Sequence, residues 1–274
     1  MSNADLMSNP HGLVFGGNGR VARAMTKLMV SRSWQVTSVV RNLHRHEKDI
    51  LRLAASDQAD RLSVINCNLQ TIRTSDDALQ LLEKVRPSCV VFAAGSFSDP
   101  YKIDRDVAQR IIKAASHADY VRKFLIISFP ASRRQPAPWW NQKDIRQYIA
   151  ESESYPDIKD AKLQADEYLV AAARQRELLG GPRLQAISLR PSWLLTSSAT
   201  GRVKLGRTQA VGKVTIGDVA SVAVEMLGRD DVGGWFDLVE GREGVERAVD
   251  RVVSEGIDCI EGGDLERIYG IALD

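Results

Sequence analysis

The feature that most constrains this chain is a glycine-rich turn near its beginning. Residues 16–22 read Gly-Gly-Asn-Gly-Arg-Val-Ala, between a predicted buried strand at Gly12 to Phe15 and a predicted helix from Val21 to Ser31. Glycines let the chain pass directly from strand to helix, and they let backbone N–H groups approach a pyrophosphate at the positive end of that helix. We therefore predict a dinucleotide-binding turn with cofactor contacts at Gly16, Gly17, Asn18, Gly19, Arg20 and Val21.

Strands and helices alternate along most of the chain. Short apolar, β-rich runs are separated by stretches whose apolar residues recur at helical spacing. This alternation indicates a parallel sheet covered on both faces, because each crossover returns the chain to the same end of the sheet. We predict an α/β fold with a doubly wound parallel (Rossmann) sheet. The later predicted strands are Gln35 to Val40, Leu62 to Asn66, Cys89 to Ala93, Phe124 to Ile127, Leu184 to Leu189 and Gly234 to Val239.

One domain accounts for the length of the chain. A doubly wound fold commonly reaches 274 residues as one unit, and 44% hydrophobic residues supply a sizeable core. Residues 1–10 are polar and are predicted to form a flexible leader, with the nucleotide-binding domain and its C-terminal substrate-side portion over 11–274. A stretch rich in Pro, Trp and charge breaks the pattern over 132–154, where we predict a substrate-side loop.

Composition excludes several kinds of partner and site. Lys plus Arg number 37 against 35 for Asp plus Glu, so no strong field attracts nucleic acid or an anionic membrane. We find neither a secretion signal nor an apolar run near the roughly 18 residues of a membrane span. His44 and His46 lack further ligands at metal-binding spacing, so no metal site is predicted. Three dispersed cysteines suit a reducing compartment, and we expect a soluble, cytoplasmic monomer or homodimer that binds small molecules.

An arginine follows the second predicted strand where dinucleotide sites often carry an acid. Arg41 stands about twenty residues after the glycine turn, the position at which an NAD site offers a carboxylate to the ribose hydroxyls. A guanidinium can instead pair with a 2′-phosphate through two hydrogen bonds. We therefore predict NADP (NADPH) as the cofactor, the alternative being that Arg41 is a solvated surface residue.

Several short motifs, which follow one another in a characteristic order along the chain, give it a family resemblance. It resembles atypical short-chain dehydrogenase/reductases, including NmrA-like and fungal-type NAD(P)-binding proteins, over nearly its whole length. The motifs are Val14-Phe15-Gly16-Gly17-Asn18-Gly19, Val91-Phe92-Ala93-Ala94-Gly95, Asp104-Arg105-Asp106, Ile126-Ile127-Ser128, Ala161-Lys162-Leu163-Gln164-Ala165-Asp166 and Leu189-Arg190-Pro191-Ser192. The resemblance implies that the cofactor's adenosine half passes Ala93, Ala94 and Gly95, that Asn68 and Leu69 lie beside the adenine, and that Lys162 binds the nicotinamide ribose.

The catalytic motif of that superfamily is altered. Its reductases use Tyr-x-x-x-Lys, in which the helical spacing brings the hydroxyl and the ammonium to one face. If Lys162 is the lysine of the motif, Ile158 occupies the tyrosine position and cannot donate a proton. A literal Tyr-x-x-x-Lys occurs at Tyr155 and Lys159, but Pro156 indicates that the helix begins only after the tyrosine. Tyr155 is then predicted to lie at the start of this helix, and both Tyr155 and Lys162 remain catalytic candidates.

Further polar and aromatic residues follow the fifth predicted strand. Ser128 ends that strand and is predicted either to polarise a substrate carbonyl or to satisfy a local backbone group, with Ser132 as the alternate. Arg133-Arg134 and Trp139-Trp140 combine cations with flat apolar faces. They suit a clamp for an aromatic or anionic ligand, a pinned surface loop or a partner-binding patch.

Two functions from different classes fit these residues. The first is an NADP(H)-dependent oxidoreductase that acts on an unknown small, possibly aromatic, molecule. The second is a non-catalytic, NADP-binding redox sensor, which the loss of the tyrosine at Ile158 favours. An isomerase or lyase that retains its nucleotide is a third reading, and the residues do not separate it from the first.

Overall fold

The computed structural model describes residues 9–273, and a nine-stranded sheet runs through this described part of the chain. Residues 1–8 of the predicted leader lie outside the described residues. A separate pair, β7 and β9, lies beside the large sheet. In chain order the strands are β1 His11–Phe15, β2 Gln35–Val40, β3 Leu62–Asn66, β4 Cys89–Phe92, β5 Lys123–Ile127, β6 Gln185–Pro191, β7 Trp193–Leu195, β8 Arg202–Gly206, β9 Lys213–Thr215, β10 Gly234–Glu240 and β11 Glu243–Gly244.

The order of strands confirms the predicted fold class. Across the sheet it runs β11-β8-β10-β6-β5-β4-β1-β2-β3. From β3 to β10 the pairings are parallel, whereas β8 and β11 pair in the antiparallel sense at the far edge. The run β3-β2-β1-β4-β5-β6 is the doubly wound order of dinucleotide-binding sheets. Because the chain leaves β1 toward β2 on one side and later returns to β4 on the other, a crevice opens at the carboxyl end of β1.

Helices cover both faces of the sheet. Val14 of β1 packs into one apolar cluster with α1, α7 and α8, whereas Leu13 and Phe15 face the second cluster with α3, α4 and α6, as strand alternation requires. Within 9–273 no helix combines the length and apolarity needed to cross a membrane. The helices are α1 Arg20–Ser31, α2 Leu43–Leu51, α3 Ser75–Val85, α4 Ala108–His117, α5 Gln142–Ser154, α6 Pro156–Leu178, α7 Ile216–Leu227, α8 Val245–Ser254 and α9 Leu265–Tyr269, with a π-helical segment Tyr101–Val107 before α4.

The segment predicted as a loop over 132–154 is helical in its second half. Helix α5 begins with a capping box, in which the Asn141 side chain accepts from the Asp144 N–H and the Asp144 side chain accepts from the Asn141 N–H. Only Asp144 and Tyr148 of this helix are buried. The prediction of helices depended on an apolar repeat at helical spacing. Helix α5 lacks that repeat, so the sequence pattern predicted a loop there.

Two of the three thiols should be unreactive in the folded protein. Cys89 in β4 and Cys259 are buried, and burial raises the pKa of each to about 12, whereas Cys67 is only partly buried. Because the thiolate is the nucleophile, we expect iodoacetamide at pH 8 to modify Cys67 in the native protein and all three cysteines in urea. Peptide mass spectrometry measures this. Native modification of Cys89 or Cys259 as fast as that of Cys67 would contradict their burial.

Candidate functional site

The glycine turn is pressed against β2 and against the segment after β4, the two strands that flank β1. Gly16 has φ 78°, and a Cβ there would lie 2.7 Å from the Cα and N of Ala94 after β4. A Cβ on Gly17 would lie 1.9 Å from Ser38 Oγ of β2. The Gly17 N–H donates to the Val39 carbonyl over 2.9 Å, so the turn is tied to β2 as well. A side chain therefore does not fit at positions 16 and 17 of this turn, as the sequence pattern predicts.

The first turn of α1 can accept a phosphate group. Its cap residue is Gly19, which offers no side chain to the helix N–H groups, and no acidic residue stands in the first turn. Several other helices fill the same position with a capping side chain, as Thr74 does for α3, whereas α8 also has a glycine there but carries Glu246 in its first turn. The uncapped N–H groups and the positive helix end together suit a pyrophosphate. The chemistry of these donors therefore fits the predicted dinucleotide.

The end of β4 forms the opposite wall of the crevice. The Ala93 N–H donates to the Phe15 carbonyl of β1 over 3.1 Å, which keeps the two strand ends together. The Ser96 N–H donates to Asp104 Oδ2 over 2.8 Å, and a Cβ on Gly95 would lie 3.0 Å from Asp104 Oδ1. Ala93 and Ala94 thus face the glycine turn, where the predicted adenosine path runs, and Gly95 faces Asp104.

The residues predicted to select and hold the adenosine half lie at the ends of β2 and β3. Arg41 is exposed directly after β2, and among the described residues its guanidinium has no hydrogen bond or ion pair. Asn42 beside it caps α2 and is not an acid. Asn68 accepts from the Gln70 N–H over 3.2 Å, and Leu69 follows it in a short 3₁₀ turn. The guanidinium is thus free to pair with a phosphate.

A cavity of about 320 Å³ opens at the carboxyl ends of β5 and β6. We call it the strand-end cavity. It reaches Arg20 at the start of α1, so it adjoins the glycine turn. Its walls are mainly apolar, and one of its aromatic residues is highly exposed, since Phe97 is 85% accessible. The four aromatic side chains that border it are Phe97, Phe129, Tyr155 and Trp193.

Lys162 is the cation that α6 brings to this cavity, and a buried aspartate holds it. Its Nζ lies 2.9 Å from Asp104 Oδ1 and donates to the Ile127 carbonyl over 3.0 Å. Asp104 is 2% exposed and belongs to the π-helical segment, which packs against α6. Such segments frequently occur at functional sites. The sequence prediction included Lys162 but not Asp104, although Asp104 opens one of the motifs that carry the family resemblance.

Helix α6 brings Ile158 and Lys162 to one face, as their four-residue spacing predicts. Both border the strand-end cavity, so the residue four before Lys162 offers this cavity an apolar side chain and no phenol. Tyr155 precedes Pro156 at the first helical position, and its ring packs edge-on against Trp193 with centroids 5.7 Å apart. The literal Tyr155 and Lys159 pair does not form, because Lys159 Nζ lies 4.8 Å from the centroid of the Tyr148 ring.

The Ser128 hydroxyl is engaged inside the protein. It donates to Asp166 Oδ2 over 2.7 Å, and Ser188 donates to the other carboxylate oxygen over 2.8 Å. Burial raises the pKa of Asp166, which no solvent reaches. Because a serine has one proton to donate, this geometry does not supply the carbonyl-polarising donor proposed for Ser128. The alternate, Ser132, is fully buried as well.

The loop with two arginines and two tryptophans is pinned to the body of the protein. Arg133 is buried and donates to Asp237 Oδ2 over 2.6 Å. Its guanidinium stacks on the rings of Trp139 and Trp140, whose indole N–H groups both donate to the Thr208 carbonyl. Of the three readings offered for this loop, the pinned loop matches these contacts.

Known proteins share this architecture. A family model described as NAD(P)H-binding matches residues 16–230. The UPF0659 protein C216.03 of Schizosaccharomyces pombe is 26% identical over 253 residues, 89% of this chain and 95% of that protein. The oxidoreductase ylbE from Lactococcus lactis has a TM-score of 0.67 at 20% identity, covering 89% of this chain and 97% of its own. ChuY, an anaerobillin reductase from Escherichia coli O157:H7, has a TM-score of 0.61 at 16% identity, covering 84% and 97%. The two solved structures show the fold.

Proposed function

The chain belongs to the NAD(P)H-binding family, and from that premise we propose that it is an NADP(H)-dependent oxidoreductase that reduces a small, flat, apolar molecule. The carrying observation is the strand-end cavity, which adjoins the glycine turn and joins apolar and aromatic walls to one anchored cation, Lys162. Concave, mostly apolar sites with a few placed polar groups are typical of small-molecule binding. Three free thiols suit the reducing cytoplasm in which we place the protein.

Different residues of the chain would bind different parts of the dinucleotide. The glycine turn and the first turn of α1 would hold the pyrophosphate, and Arg41 would pair with the 2′-phosphate. Residues 93–95 would line the path of the adenosine half. When bound, the reduced nicotinamide supplies a hydride to the substrate.

Lys162 would hold the proton that accompanies reduction. An ammonium has three N–H donors, and Asp104 and the Ile127 carbonyl account for two of them. The third is available to the nicotinamide ribose or to a substrate atom. Asp104 fixes the position of the ammonium through the 2.9 Å contact of its Oδ1 with Nζ. Ile158 contributes an apolar wall, and the phenol of Tyr155 borders the same cavity, so a planar substrate that takes its proton from Lys162, Tyr155 or water suits this cavity best.

Nucleotide preference tests the cofactor half of the proposal. We expect calorimetry to show NADPH binding at least about tenfold tighter than NADH, because a charge-assisted pair forms at the 2′-phosphate. Arg41→Ala should weaken NADPH about tenfold and leave NADH unchanged. Arg52→Ala, which removes an exposed arginine farther along after α2, is the charge-matched control. Equal loss for both nucleotides, or the same loss in the control, would contradict a specific phosphate contact.

A redox sensor is the second candidate, and a specific observation favours it. The usual phenol is absent at Ile158, and the Ser128 proton is donated to Asp166, so two expected proton donors do not serve the cavity. Turnover separates the candidates. NADPH oxidation stimulated by quinones, flavins or aromatic aldehydes, and reduced at least about tenfold by Lys162→Met, supports the oxidoreductase. Tight NADPH binding without stimulated oxidation across this panel favours the sensor.

A further inference from the structure

A second cavity lies under the C-terminal segment, on the far side of the loop that follows β5. It measures about 270 Å³ and is enclosed by 133–137 of that loop, 260–264 of the C-terminal segment and the inner face of α9, over a floor that includes Trp235 of β10. We call it the C-terminal cavity. None of the residues that line it lines the strand-end cavity. It is therefore a separate compartment, although the loop and α6 each contribute residues to both cavities.

Buried hydrogen-bond donors without acceptors border this cavity. Trp235 is 4% and Arg133 5% exposed, and among the described residues the indole N–H of the first and the Nε–H of the second have no acceptor. The Nε–H of Arg267, on α9, is likewise without an acceptor. Buried donors normally have partners, because an unmatched donor costs about 1–3 kcal/mol. Three such donors around one cavity indicate a ligand that carries acceptor oxygens.

The carboxylates around this cavity are already engaged. Glu167 accepts two hydrogen bonds from Arg134 and one from Arg267. Glu261 pairs with Arg207. Asp264 accepts from the Arg267 N–H as the cap of α9. The carboxylates that line the cavity therefore do not serve these donors, and the buried Asp237 Oδ1, which has no hydrogen bond among the described residues, faces the Arg190 guanidinium at 3.6 Å.

The rest of the lining is apolar. The Trp235 ring is joined by Pro136, Leu163, Ile260 and Ile268. A ligand with a flat apolar body would cover these surfaces, and its acceptor atoms would pair with the buried N–H groups after a shift of the side chains that cover them. Both requirements are met by an aromatic carboxylic acid.

We propose that the C-terminal cavity is a second small-molecule site, which takes an aromatic carboxylic acid whose oxygens accept from Trp235 and the neighbouring arginines. This site lies beyond the oxidoreductase function proposed above and does not depend on it. Its test reads binding alone, so its failure would leave that function untouched, and the reverse also holds.

Benzoate is the probe for the test. In ¹⁵N–¹H spectra of the full chain, we expect benzoate to shift the Trp235 indole resonance saturably, because that N–H gains an acceptor. Trp235→Phe keeps a ring and removes the donor, which assigns the resonance. Calorimetry should show benzoate affinity about tenfold lower in Trp235→Phe. Arg267→Met, at a partly exposed side chain, should also weaken benzoate severalfold and serves as the second variant if the first does not fold.

Trp193→Phe is the control, since Trp193 borders the other cavity. Its removal should leave benzoate affinity unchanged. The proposal is overturned if benzoate produces no saturable shift, if it shifts Trp193 and leaves Trp235 in place, or if Trp235→Phe and Arg267→Met bind it as tightly as the wild-type chain.

Discussion

Gly16→Ala should weaken binding of NADPH and NADH by at least about 100-fold, which corresponds to about 2.7 kcal/mol. The added Cβ would lie 2.7 Å from backbone atoms of Ala94, and backbone cannot turn aside as a side chain can. The turn must therefore move away from β4, and its N–H groups leave the place where the pyrophosphate would bind. Calorimetric titration with each nucleotide measures the loss, with circular dichroism to verify folding.

Gly180→Ala is the matched control for this prediction. Gly180 has φ 76°, nearly that of Gly16 at 78°, but nothing lies within 4 Å of a Cβ there. This variant therefore carries the strain of a positive φ, about 1–2 kcal/mol, without the collision. We expect it to be somewhat less stable and to bind nucleotides normally. If Gly16→Ala binds them as tightly as Gly180→Ala does, the turn does not hold the cofactor.

Arg190→Met should lower the free energy of unfolding by about 3–5 kcal/mol, because it leaves buried carboxylates without their positively charged partner. Arg190 is fully buried, with Nε 3.6 Å from Asp237 Oδ1 and 4.0 Å from Asp166 Oδ2. It also donates to the carbonyls of Phe129 and Ser132 in the loop beside the strand-end cavity. Urea denaturation measures the loss.

The control for Arg190→Met is a surface arginine. Arg174 pairs with Glu177 within α6 at 2.8 Å, and both side chains are largely exposed. Arg174→Met should change the free energy of unfolding by less than about 1 kcal/mol, because such pairs are screened by water. Similar losses at the two positions would show that the buried cluster does not depend on Arg190.

The decrease in the free energy of unfolding caused by Arg190→Met should be larger at higher pH. Burial raises the pKa of Asp166 above its value in the unfolded chain, and the Arg190 charge opposes that rise. A carboxyl with a raised folded pKa binds more protons in the native state, so its contribution to stability falls as pH rises from the unfolded to the folded pKa. Without Arg190 the folded pKa rises further and this window extends to higher pH. Urea denaturation at pH 5 and pH 7 should show a larger deficit at pH 7, whereas a deficit independent of pH would argue against this coupling.

Local patterns predicted the parts of the fold that local interactions decide. The glycine turn, the β-rich runs and Pro156 at the start of α6 each carry backbone preferences that neighbouring residues do not override. Ile158 and Lys162 are four residues apart, so helix geometry alone places their side chains on one face of α6. Helix α5 was missed because its solvated surface leaves little apolar repeat. Strands β7, β9 and β11 were missed because they have only two or three residues, and β8, which has five, was missed as well.

The amino-acid sequence by itself determined the doubly wound sheet, the glycine turn that follows β1 and the apolar side chain four residues before Lys162. Only the tertiary structure decided what the polar side chains do. Asp166 lies 38 residues beyond the Ser128 whose proton it accepts, and Arg133 meets Asp237 across 104 residues. The separation of such partners along the chain does not predict that they meet, because the order of strands in the sheet brings them together. A buried charge such as Arg190 therefore looks like a surface residue until the fold shows that its partners surround it.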